Sequence, residues 1–142
     1  MKILIINGSA HRGNTWKLVE QAKNCLVESQ KEIEFDEVHL IEEGLPFCIG
    51  CSNCFRVGHE KCPHYNVIGK IIEKIETADG IIIATTTYNM RETALLKNLF
   101  DHFCFMLHRP HFFKSKALVI TTTGGVGGHA AAKSVKGTLL GI

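Results

Sequence analysis

The chain has one tryptophan, two tyrosines, three prolines, no long apolar run and no acidic residue after Asp101. Each shortage excludes something. The apolar run that follows Lys2 is only Ile3–Ile6, too short for a signal-peptide core, and no stretch is long enough to span a bilayer. The reading is therefore of a cytoplasmic protein with no membrane role. All fourteen acids lie at or before Asp101, so the remainder carries only bases. A basic patch that recruits an anion and an ordinary solvated surface both account for this. A net charge of +2 gives no argument for nucleic acid. Also missing are a Gly-Lys-Ser/Thr ending and a G-x-G-x-x-G run, which excludes the common ATP and dinucleotide loops. No Ser/His/Asp or paired-carboxylate pattern suggests hydrolysis, and no protein acid or base is nominated as catalytic.

What is present is one ordinary domain, residues 1–142, with 45% apolar and 21% charged residues and no repeat. Lys2–Ile6 and Gly80–Thr87 read as strands buried on both faces, and Ala117–Thr123 reads similarly. Glu32–Leu40 alternates like a half-exposed edge strand. Helical spacing marks 15–29 (apolar at 18, 22, 25 and 26), 67–75, 95–107 and 129–140. Strands alternating with helices imply parallel pairing in a three-layer α/β sheet, order 2-1-3-4. No strand follows Ala117–Ile120, so either a partner subunit covers that edge or a last strand and helix are lacking.

Three loops leave three successive strands at the same sheet end, where α/β sheets bind ligands. The first, Gly8 to Thr15, joins a buried strand to a helix start. It offers Ser9 and Thr15 hydroxyls, the Arg12 charge and Asn14 or Thr15 as a cap, a setting suited to phosphate. The second holds Thr86, Thr87, Tyr88, Asn89 and Met90. The third is Thr122-Thr123-Gly124-Gly125, whose glycines let backbone approach a flat ligand.

Four of the six cysteines crowd into the loop at 44–64 as Cys48-x2-Cys51-x2-Cys54-x7-Cys62. This spacing suits a [4Fe–4S] cluster; zinc fits the ligand count but usually takes more widely separated pairs. Free or reversibly oxidised thiols are the remaining alternative. Cys25 and Cys104 read as small core residues of helices. His59 and His64 read as surface loop residues. His102, His108 and His111 read as residues at or beyond a helix end, where the dipole favours bases.

The run Ile-Ile-Asn-Gly-Ser-x-x-Arg-Gly-Asn-Thr resembles the FMN phosphate loop of the NAD(P)H-dependent FMN reductase family. The likeness runs from Lys2 to about Gly128 and includes all three loops. The cysteine-bearing members of that family are the iron–sulfur flavoproteins, which carry a compact cysteine motif in this same loop. The resemblance implies a flavodoxin-like fold with noncovalent FMN. Ser9, Arg12, Asn14, Thr15 and the Trp16 amide would hold the phosphate, and Thr86, Thr87, Tyr88, Asn89, Met90, Thr123, Gly124 and Gly125 the flavin. Thr86 stands where relatives usually have proline. The expected function is electron transfer with NAD(P)H as donor and a small-molecule or protein redox partner, in a homodimer or higher homo-oligomer. The rival readings are a non-enzymatic electron carrier, a metal-binding module and an inactive truncated flavoprotein.

Overall fold

Isoleucine runs without polar alternation need cover on both faces, and the two such runs here become the central strands of a parallel sheet. The computed structural model describes residues 1–29, 32–108, 112 and 115–142, with only the backbone of residue 108. In chain order the elements are β1 (Lys2–Asn7), α1 (Asn14–Ser29), β2 (Glu34–His39), α2 (Asn53–Arg56), α3 (Tyr65–Glu76), β3 (Gly80–Thr86), α4 (Ala94–His102), β4 (Lys116–Thr122) and α5 (Gly128–Leu139). The strands pair in parallel in the order β2-β1-β3-β4, as the sequence predicts. With helices on both faces this is a three-layer, flavodoxin-like α/β fold.

Alternation along each strand divides the core in two. Ile3 and Ile5 of β1 and Ile82 and Ala84 of β3 face Val19 of α1. Leu4, Ile6, Ile81 and Ile83 face a larger core completed by α3, α4 and α5. Helix α3 buries Ile68, Ile71, Ile72 and Ile75, a three-and-four spacing that lines one stripe. Each such side chain contributes about 1.5–3 kcal/mol of burial.

Several expectations need correction. On α1 the buried residues are Thr15 and Val19, whereas Leu18 is 42% exposed and Cys25 is also exposed. Leu26, on the expected stripe, does pack against the core. Among the described elements α1 is the only helix on its face, so Cys25, Leu26, Met1 and Leu118 border an open groove. Strand β4 lies at the edge that the order 2-1-3-4 implies, but it is not buried on both faces: Leu118 is 47% exposed. The 44–64 loop contains α2 and a 3₁₀ turn, His59–Lys61. Helix α4 ends at His102 and the chain tightens into a 3₁₀ turn, Cys104–His108, which carries Cys104 off the apolar stripe. His111 and the side chain of His108 lie outside the described residues. Among the described residues no helix is long and apolar enough to cross a membrane.

Candidate functional site

The register pairs Asn7 with Ala84 and Thr86 with Thr122, so β1, β3 and β4 end side by side. Their three loops therefore meet. Ser9, Asn14, Thr15, Thr86, Thr122, Thr123 and Gly124, with His11 and Gly13, line a hollow of about 180 Å³. That is below the roughly 300–1,000 Å³ of pockets for drug-sized ligands. It suits a phosphate end, with any larger group lying across the open rim.

A buried polar chain builds the first loop. His39 Nε2–H donates to Glu37 (3.2 Å), which leaves His39 Nδ1 to accept from the Asn7 amide (3.2 Å). Asn7 Oδ1 accepts from the Ser9 N–H (3.0 Å), and Ser9 Oγ accepts from the Thr86 N–H (3.2 Å). The position of Ser9 is thus set from β2 through β1, and Ser9 then ties the first loop to the second. Helix α1 opens immediately beyond, with free N–H groups facing the hollow's side of the sheet.

Thr93 fixes the second loop. It caps α4 by accepting from the Leu96 N–H (3.3 Å), and its hydroxyl donates to the Gly8 carbonyl (2.5 Å). A Cβ at Gly8 would stand 2.9 Å from Leu96 Cβ, so α4 demands glycine there. Between Thr86 and Thr93 the chain makes a tight turn closed by reciprocal Tyr88 and Arg91 backbone bonds. Asn89 (φ 47°) and Met90 (φ 68°) are left-handed, a strained conformation for non-glycine residues. The third loop packs on this turn: Gly127 (φ 94°) has no room for a Cβ, which would lie 2.8 Å from Met90 Cα. Tyr88 (53%) and Met90 (49%) are exposed at the rim with Asn89, while Gly124 and Gly125 face open space. Thr87 Oγ1 is buried with no hydrogen-bond partner among the described residues. An orphaned hydroxyl, open glycines and a hollow lined by hydroxyls at a helix start fit a flat, phosphorylated ligand.

The Arg12 side chain, singled out by sequence, does not line the hollow. The Arg12 guanidinium lies over the Trp16 ring, 5.6 Å from its centroid, and 3.9 Å from Glu42. The Trp16 ring in turn packs on His39 at 4.8 Å. His11, by contrast, lines the hollow and carried no signal beyond its place in the loop.

Cys48, Cys51, Cys54 and Cys62 line a single cavity, and all are free thiols. Such a convergence of thiols fits a thiolate-bound metal centre. Cys104, read from the sequence as a helix core residue, lines the same cavity. Its thiol hydrogen-bonds with Cys54, and burial, followed by the nearby Cys54 and Cys48 charges, pushes its pKa up to about 11. Burial also raises Cys54, which its hydrogen bond to Cys104 partly offsets. Helix α4 anchors the cysteine loop. Asn98 donates to the Leu45 and Pro46 carbonyls (3.1 and 3.2 Å) and accepts from the Cys48 N–H (3.2 Å). His102 donates through Nε2 to the Pro46 carbonyl (3.0 Å). Two polar residues four apart on an apolar stripe were the available signal for this anchor. His59 and His64 are not free surface residues either: His59 stacks on Phe105, and His64 packs edge-on against His102.

Relatives that share substantial sequence include two archaeal proteins. An iron–sulfur flavoprotein of Methanocaldococcus jannaschii is 39% identical over 102 residues, covering 71% of this chain and 51% of the relative. An iron–sulfur flavoprotein of Archaeoglobus fulgidus is 36% identical over 103 residues, covering 71% and 48%. The chain thus spans about half the length of these relatives. Among solved structures, the FMN-dependent NADH-azoreductase of Bacillus anthracis in complex with FMN superposes with a TM-score of 0.76. That match covers 99% of this chain and 81% of the other at 14% identity, a likeness of fold. The family model described as NADPH-dependent FMN reductase matches residues 1–141, and the chain belongs to that family.

Proposed function

We propose that residues 1–142 form a single FMN-binding domain of an NAD(P)H-dependent oxidoreductase. The observation that carries this reading is the meeting of three strand-end loops around hydroxyl groups at the start of α1. In this reading Ser9, Asn14, Thr15 and the Trp16 amide hold the FMN phosphate, with Thr122 beside them. Arg12 adds its charge by swinging from Glu42, an exposed pair that costs little to break. Thr86, Thr87, Tyr88, Asn89, Met90, Thr123, Gly124 and Gly125 flank the ring, with Thr87 Oγ1 supplying an unspent hydroxyl. When bound, FMN supplies hydride and single-electron transfer. The chain's own contribution is to fix the phosphate, to present the ring between two rigid turns, and to leave one side open at Tyr88 and Met90 for a nicotinamide donor or an acceptor.

Cys48, Cys51, Cys54 and Cys62 would hold a [4Fe–4S] cluster, which would supply one-electron transfer toward a protein or small-molecule partner. Free thiols are in keeping with a cytoplasmic setting. The exposed β4 edge supports a homodimer. The test is a flavin titration of the purified chain, followed by oxidation of NADH and NADPH under anaerobic conditions with a soluble acceptor. One FMN per chain and pyridine-nucleotide turnover are expected. FMN binding without turnover identifies an electron carrier, and absence of FMN binding overturns the reading.

A further inference from the structure

The three metal-binding side chains whose ligand atoms draw together among the described residues are not all loop cysteines. Among the described residues, one ligand atom each from Cys62, His64 and His102 lie within 4.8 Å of one another. We infer that these three residues form a site for one divalent, borderline-soft cation of the zinc class, with water in the fourth position. The inference rests on this geometry and stands apart from the cluster reading.

Three observations support it. Cys62 Sγ is 3.9 Å from His102 Nδ1. Zinc bonds of 2.3 Å to sulfur and 2.0–2.1 Å to nitrogen, in tetrahedral arrangement, put such atoms about 3.6 Å apart. A shift of a few tenths of an ångström closes the difference for this pair, and His64, whose ligand atom lies within 4.8 Å of both, turns in to complete the set. His102 is also held in the required tautomer. Its Nε2–H donates to the Pro46 carbonyl at 3.0 Å, leaving the Nδ1 lone pair aimed at Cys62. A carbonyl behind the ring in this way is the usual support of a metal-bound histidine. Finally, His64 Nδ1 is buried with no hydrogen-bond partner among the described residues. A buried nitrogen without a partner is unfavourable, and a cation bound there would supply one.

The three ligands come from two places: Cys62 and His64 from the turn before α3, and His102 from the last turn of α4. A cation here staples the cysteine loop to α4. On binding, the Cys62 thiol gives its proton to solvent and no electrons move. Cys62 belongs to both ligand sets, so the cation and a four-cysteine cluster exclude one another. The cation occupies the chain when it is free of iron and sulfide.

The test is a cobalt(II) titration of the full, reduced chain after iron has been removed by a chelator. The expected result is one cobalt per chain with the visible bands of four-coordinate cobalt. Its sulfur-to-metal charge-transfer band should have the intensity of one thiolate, and equimolar zinc should displace the metal. His64→Ala should weaken cobalt binding at least about tenfold. That variant removes no hydrogen bond of Nδ1, and an unchanged circular dichroism spectrum verifies its fold. Cys48→Ser and Cys51→Ser should bind cobalt as the parent does. Several thiolates in the charge-transfer band, loss of binding in Cys48→Ser, undiminished binding in His64→Ala, or no binding by the parent would each overturn the inference.

Discussion

The hydroxyls of Thr15 and Thr122 stand 2.6 Å apart, joining the first turn of α1 to the last residue of β4 across 107 positions of sequence. Only one of the two can donate in this bond. The other keeps its proton for an acceptor in the hollow, so the pair is arranged to offer a hydrogen to a ligand without leaving an oxygen unpaired. The contact also ties the first and third loops, as the bond between Ser9 and Thr86 ties the first and second.

Thr15→Ala should therefore weaken FMN more than riboflavin. A hydrogen bond to a charged group contributes about 1.5–3 kcal/mol, or roughly 10- to 150-fold in affinity. Fluorescence titration with both flavins measures the difference. Arg12→Ala should cost less than Thr15→Ala, because its guanidinium rests on Trp16 and Glu42. Equal losses for the two flavins with Thr15→Ala would put the phosphate elsewhere.

Asn7→Leu tests the buried chain from Glu37 to Ser9. The substitution leaves the Ser9 N–H and His39 Nδ1 without partners in the interior, at about 1–3 kcal/mol for each buried group. Urea denaturation should show a loss of at least about 2 kcal/mol. FMN affinity should fall as well, because Ser9 loses its anchor. A stable variant with unaltered FMN binding would show that the chain does not position the loop.

Sequence periodicity foretold the sheet and the meeting of three loops, because long isoleucine strands can only be central and parallel strands share one carboxyl end. It did not foretell the support beneath them. Asn7 reads as a strand terminator and His39 as the end of an exposed strand, and only the β1–β2 register makes them neighbours. The Arg12 charge is legible in the loop, whereas Glu42 and Trp16, which compete for it, are brought there only by the fold. Cys104 kept helical phase with α4 on paper, and the 3₁₀ turn after His102 moved it into the thiol cavity.

Asp36 gives the fold a dependence on pH. Burial raises its pKa, but the Lys74 hydrogen bond (2.7 Å) and the Lys74 and Lys2 charges outweigh burial, so the folded value is lowered. A lowered carboxyl pKa gives stability that is present above the unfolded value of about 3.9 and is lost as the pH falls through the folded value. Asp36→Asn should destabilise the protein by up to about 1 kcal/mol at neutral pH. The gap to the parent should close in acid, and parallel urea curves at the two pH values check the sign.

Leu118, exposed on the edge strand beside Met1, Cys25 and Leu26, should lie in a homodimer contact. An apolar edge strand is a template for pairing, and a charge on it is the usual means of preventing that. Light scattering at micromolar concentration should find a dimer for the parent and a monomer for Leu118→Lys. A monomeric parent with FMN bound would refute this.

The cysteine loop yields the prediction with the widest consequence. If Cys48, Cys51, Cys54 and Cys62 bind one [4Fe–4S] cluster, protein purified without oxygen should contain about four irons per chain. The thiols and the hollow at the strand ends use different residues, so the two losses should separate. Cys48→Ser should lower iron and leave FMN bound, whereas Thr15→Ala should lower FMN and leave iron unchanged. His64→Ala distinguishes the two metal states of the loop, since His64 ligates only the cation of the iron-free chain. It should keep its iron in anaerobic preparations and lose cobalt binding once the iron is removed. Stoichiometric zinc in a chain expressed with ample iron would make the cation the resident metal. Electron transfer would then belong to the flavin alone.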